Sequence, residues 1–169
     1  FLLTVCFLTM MVCLHASSPE DKNLWSLLAV VFAIAYATII STLYYIQAVV
    51  VSYNLVRHST DGLTLWLFAP PYPNSLPGAL EGIGYLFMCL SLISASRLFS
   101  GNKLSKWINR LFLFSGLTGF VIFTNPLYPL PTIIVLTVAF ANAIILFGSL
   151  CLASIWFKRM ETKTGILAS

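Results

Sequence analysis

Glu81 is the residue whose surroundings most call for an explanation. In "GALEGIGYLFMCL", residues 78–90, it is the one carboxylate, set between two glycines at the head of an otherwise apolar run. An acid in such a run is costly unless it meets a partner, so intramembrane acids turn toward the bundle interior or a ligand. At 3.6 residues per turn Gly78, Glu81, Gly82, Tyr85 and Cys89 share one helical face. Small residues four apart let a neighbouring helix approach closely, which directs this face, and Glu81 with it, inward. If the helix begins near Pro77, a favoured early position, Glu81 lies about 6 Å along its axis, at the positive end of the helix dipole. Tyr45, Gln47, Arg57 and His58 precede it and reach a similar depth, so these five residues form the candidate ligand-binding set. The competing reading is structural: an ion pair with Arg57, or hydrogen bonds to Tyr44, Tyr45 or Gln47.

Elsewhere the search for chemistry is mostly negative. No GxSxG, HExxH, GxxxxGK or GxGxxG motif occurs. Cys6, Cys13, Cys89 and Cys151 lie in apolar runs without CxxC spacing and read as small core residues, so no metal and no cofactor is implied. Glu20 and Asp21 follow Pro19 just before an apolar run, as acids do at a helix start. In "GNKLSKWINRLF", Lys103, Lys106 and Arg110 share a face opposite Leu104, Trp107, Ile108 and Leu111, which makes them candidate contacts for lipid headgroups. Asn142 falls mid-way along an apolar segment, where an amide is expected to hydrogen-bond across helices.

The elements that must position these residues follow from composition. The 169 residues are 59% hydrophobic and 8% charged, with a mean hydropathy of +0.94. So few polar groups cannot cover a water-facing surface, which leaves lipid as the surrounding solvent. The expected fold is an all-α, polytopic transmembrane bundle forming one domain, with spans at 1–14, 24–55, 77–99, 107–123 and 131–157. The first is short for a span and reads as a helix entered part-way. The second, at about 48 Å, exceeds a bilayer core of about 30 Å and must tilt or project. Turn-rich stretches separate the spans, and the long loop at 56–76 carries Asp61, Trp66 and three prolines.

Basic residues set the orientation. With the loop at Arg97, Lys103, Lys106 and Arg110 in the cytoplasm, Lys22 and the tail holding Lys158, Arg159 and Lys163 are also inside, leaving only Arg57 outside. The N-terminus is then out and the C-terminus in, and Trp25, Trp107 and Trp156 fall at the inner interface. Cleaving residues 1–16 as a signal peptide would invert this distribution, so that reading is set aside. His15 and His58 lie on opposite sides, which removes a shared histidine site. Net charge of +4 is accounted for by topology, and nucleic acid is not expected as a partner.

From "LWSLLAVVFAIAYATIISTLYYIQ" through "LEGIGYLFMCLSLISASRLFSGNKLSKWINRLFLFSGLTG" the chain resembles small multi-pass bacterial integral membrane proteins to which no activity is assigned. Tryptophan-rich sensory proteins have a Pro-rich loop similar to "WLFAPPYPNSLP", but theirs follows the first span and this one the second. The resemblance implies a multi-pass protein of the cytoplasmic (inner) membrane, with membrane lipids as partners and either a homo-oligomer or a larger membrane protein around it. The expected function is a non-enzymatic accessory subunit or small-ligand or lipid binder with a polar outer-leaflet pocket around Glu81. A small transporter or channel component, and a membrane enzyme acting on a lipid or isoprenoid, are the alternatives.

Overall fold

In apolar surroundings every backbone N–H and C=O needs an internal partner, and a helix supplies one for each within its own segment. A computed structural model of the chain describes residues 2–59, 61, 63, 66, 75–124 and 131–167; the side chains of 121–124, 132, 135, 139 and 158–167 are outside that description. Most of the 56–76 loop, including Leu67, Phe68 and its prolines, lies outside the described residues. Among those described the chain is all-helical, without strands. The elements are α1 (Leu2–Ala16), a 3₁₀ turn (Glu20–Lys22), α2 (Asn23–Tyr45), a π-helical stretch (Ile46–Val51), α3 (Ser52–Val56), α4 (Leu76–Ser96), α5 (Lys103–Thr124) and α6 (Thr132–Leu167). Three stretches are long and apolar enough to cross a membrane: Glu20–Val56, Leu76–Ser96 and Leu136–Phe157. The chain therefore has the helices of a membrane protein.

Local chemistry fixes the ends. Ser75 is extended and its hydroxyl accepts the Gly78 N–H at 3.2 Å, with Pro77 in the first turn, so α4 starts where its cap is. Asn102 Oδ1 accepts the Ser105 N–H at 2.8 Å and opens α5. The basic lead-in at Lys103 and Lys106 and the apolar run after it are consequently one helix. Gly101, at φ 105°, makes the turn into that cap in a region where a side chain would be strained.

The helices pack in chain order, α1 on α2, α2 on α4, α4 on α5 and α5 on α6. The buried side of α2 runs Ser26, Ala29, Ala33, Tyr36, Ile40, Leu43. α2 also has small residues at every fourth position, Ala29, Ala33, Ala37 and Ser41, and these leave the buried side after Ala33 because steps of four drift around a 3.6-residue helix. The helix has two neighbours, and the drift serves the second: the Ser41 and Thr4 hydroxyls meet at 3.2 Å across α1 and α2. Ala29 leaves room for Ser91 Oγ of α4 to donate to its carbonyl at 2.7 Å.

Glycines set the other close approaches. On α4 Gly84 meets α2; a Cβ there would lie 2.6 Å from Ile40 Cδ1. On α5 a Cβ at Gly116 would lie 3.0 Å from the Cys89 carbonyl, and one at Gly119 would lie 2.0 Å from Cys89 Sγ. Asn142 of α6, 6% exposed, accepts at Oδ1 from Ser115 Oγ at 2.6 Å and Thr118 Oγ1 at 3.2 Å. That amide ties α6 to α5.

The basic and aromatic residues collect at one end. The Lys22 ammonium donates to the Leu98 carbonyl, joining the start of α2 to the end of α4. Arg97 lies 5.7 Å over the Trp25 ring and Arg110 5.9 Å over Trp107, while Trp156 of α6 meets Phe99 edge-on at 5.3 Å. Glu81, near the start of α4, is at the opposite end.

Candidate functional site

Glu81 sits five residues past the first residue of α4, about 7.5 Å along its axis. One helical turn later comes Tyr85, and across the seam α2 presents Tyr36 and Tyr44, eight residues apart on one face. The Tyr36 and Tyr85 rings are 6.2 Å apart, and Phe7 of α1 closes on Tyr36 edge-on at 5.3 Å. The Glu81 carboxyl and the phenols of Tyr36, Tyr44 and Tyr85 are close enough to act on one another electrostatically. Among the described residues, however, no hydrogen bond and no ion pair reaches that carboxyl. It is half-buried: placed against the seam, yet open on one side.

The other candidates are arranged differently. Tyr45 is 63% exposed, on the outer surface of α2, while its neighbour Tyr44, 37% exposed, borders the seam. One residue is about 100° of helix, so only one of the two tyrosines can lie there. Gln47 donates from Nε2 to the Trp66 carbonyl at 2.8 Å and so holds the loop rather than the carboxyl. Arg57 stacks 4.3 Å over its neighbour Tyr53 and is exposed. His58, two residues past α3, is at φ 54° and exposed, with no hydrogen bond to Glu81. Of the five candidates, then, Glu81 alone is at the tyrosine seam. Tyr36 was not singled out from sequence. The available signal was its spacing of eight residues from Tyr44.

The π-helical stretch begins directly after Tyr45. There the Ser52 N–H and its hydroxyl, the latter at 2.9 Å, both donate to the Gln47 carbonyl. Asn54 Nδ2 likewise donates to the Val50 carbonyl at 2.8 Å. These side chains give backbone acceptors polar partners where the helix leaves its apolar part. π-helical turns are rare and often accompany functional sites.

Lys103 and Lys106 are exposed on the first turns of α5, and Arg110 is exposed over Trp107. They form a basic face at the end of the bundle away from Glu81. Two clefts stand out among the described residues, and neither is at Glu81. One, of ≈ 230 Å³, lies at the basic end; the other is a shallow groove along the exposed face of α6 at Ile133, Leu136, Phe140 and Ile144. Among the described residues no group of His, Cys, Asp or Glu is placed to hold a metal ion. The chemistry available at Glu81 is that of a half-buried carboxyl beside Tyr44 and Tyr85, with Tyr36 buried behind them at 2% exposure: acceptance of hydrogen bonds and attraction of positive charge. No family model matches the chain, and neither does any curated protein or solved structure.

Proposed function

We propose that the chain is a multi-pass protein of the cytoplasmic (inner) membrane, crossing it five times with its N-terminus outside and its C-terminus inside. Two features support that topology: helices packed in chain order, and Lys22, Arg97, Lys103, Lys106 and Arg110 gathered at one end with three tryptophans. Positive charge is retained on the cytoplasmic side, and tryptophan favours the interface. Within this bundle the proposed role is non-enzymatic, as a binding protein or accessory subunit. It takes an amphiphile from the outer leaflet whose polar end carries a positive charge or donates hydrogen bonds.

One observation carries this reading: a half-buried carboxyl with no partner among the described residues, at a seam lined by Tyr36, Tyr44 and Tyr85. A purely structural acid in lipid would be paired, because an unpaired one costs stability. Aromatic rings beside a carboxylate favour cations through their faces as well as through charge. With no hydrogen bond between His58 and Glu81, binding is favoured over acid and base catalysis.

The test is Glu81→Gln, which keeps shape and removes the charge. Purified wild type is expected to retain a co-purifying amphiphile by native mass spectrometry, and the variant to lose it while melting within a few degrees of wild type. A wild type that carries no such molecule, together with a variant of lowered melting temperature, would assign Glu81 a structural role and end the proposal.

A further inference from the structure

The ≈ 230 Å³ cleft lies between the end of α1, the 3₁₀ turn, the connection from α4 to α5, and α6. Its polar lining is Ser17, Ser18, Lys22, Ser100, Asn102 and Ser105, with the Trp156 ring as one wall. Counting donors against acceptors shows what this lining offers. An ammonium has three N–H groups. Lys22 directs two of them to the Leu98 carbonyl, at 3.1 Å, and to Ser100 Oγ, so the third remains. Ser100 accepts from Lys22, leaving its own O–H to donate. Asn102 Oδ1 is taken by the Ser105 N–H, leaving the amide N–H₂. Ser18 is the exception: it donates to the His15 carbonyl at 2.8 Å.

Among the described residues, then, the lining leaves several donors available, one of them on a cation, and presents no carboxylate. Glu20 and Asp21, on the same 3₁₀ turn as Lys22, are exposed and outside the lining. We propose that this cleft binds the phosphate group of an anionic ligand. Its volume is below the roughly 300 Å³ at which pockets for drug-sized molecules begin, which suits a headgroup or a free anion. Trp156, held edge-on between Phe99 and Phe157 at 5.3 Å each, offers an apolar wall for whatever follows the phosphate. Lys103 and Lys106 on the adjoining turns of α5 raise the positive potential at its mouth. Lys22 is held by the two acceptors before any ligand arrives, so little side-chain entropy is lost on binding. This site is independent of the one at Glu81.

The test uses the full chain in phosphatidylcholine bilayers doped with phosphatidylglycerol, with lipid retention read by native mass spectrometry and inorganic phosphate as competitor. Lys22→Gln and Ser100→Asp are the decisive variants, since Asp at the exposed position 100 would pair with Lys22 and fill the cleft from within. Each is expected to lower phosphatidylglycerol retention about tenfold, as for a lost charge-assisted hydrogen bond. Displacement by inorganic phosphate identifies a general phosphate site; retention of the lipid against phosphate identifies a headgroup site. Either result keeps the proposal. Retention in folded Ser100→Asp equal to wild type overturns it, and that variant decides even if Lys22→Gln fails to fold.

Discussion

The contact between Gly119 and Cys89 makes a quantitative prediction about how α4 and α5 are held together. A methyl group at position 119 would lie 2.0 Å from Cys89 Sγ, whose side chain is 0% exposed and has nowhere to retreat. Ordinary contact distance is about 3.5–4.0 Å, so Gly119→Ala must part the helices or displace the sulfur. Overpacking of this kind costs about 1–3 kcal/mol, and the size of the overlap argues for the upper value. Alanine recovers about 1 kcal/mol over glycine in a helix, leaving a net loss of about 2 kcal/mol. Cys89→Ala alone removes the sulfur and leaves a small cavity, at about 1 kcal/mol. In the double variant the new methyl enters the space the sulfur vacated. Its loss should be no more than about 1 kcal/mol, against about 3 kcal/mol if the effects simply added, a coupling of about 2 kcal/mol. Reversible unfolding in mixed micelles, followed by tryptophan fluorescence, reads all three variants. Additivity within about 0.5 kcal/mol would mean that the two residues do not share the space described, and the packing argument would be wrong.

Other substitutions separate the remaining elements. Asn142→Leu should cost about 0.6 kcal/mol and at most about 2, and Ser115→Ala should add little once Asn142 is gone, both read by the same unfolding assay. At the seam, Tyr44→Ala should reduce retention of a bound amphiphile while Tyr45→Ala leaves it unchanged; equal effects in mass spectrometry would contradict the placement of Tyr44 at the seam. Gln47→Leu removes the hydrogen bond to the Trp66 carbonyl, so proteolysis near Trp66 should accelerate at an unchanged melting temperature.

The all-helical character was legible because the long apolar runs, without the alternation of strands, satisfy their own backbone only as helices. Helix starts were legible where a cap is written locally, as at Ser75 with Pro77. The phase of each helix was harder to read. α2 is apolar on every side, so its pattern does not say which of Tyr44 and Tyr45 turns toward α4; the seam decides, and the seam depends on Gly84 and Ile40 meeting across it. The Gly84 contact carries no spacing signal of its own, because a single glycine in an apolar helix does not reveal which neighbour it meets. Tyr36 was missed because it lies two turns deeper than the loop residues with which Glu81 was grouped. The donor-lined cleft at the basic end was invisible for another reason: Ser18, Lys22, Ser100 and Asn102 are far apart in the chain, and only the folded connections bring them together.

The π-helical stretch at Ile46–Val51 also divides one long helix into two parts that answer to different neighbours. A π turn holds about one residue more than an α turn, which offsets everything beyond it by about 100°. The part before it is phased to α1 and α4; Gln47, near its start, holds the loop at Trp66, and α3 follows it. Removing one residue after Gln47 would return α3 to α phase and turn it by about 100°, while Tyr36 and Ile40 kept their places. The stretch is thus where a change in chain length can be absorbed. Related chains that differ there by a residue would keep the same core and carry their outer loop at a different angle.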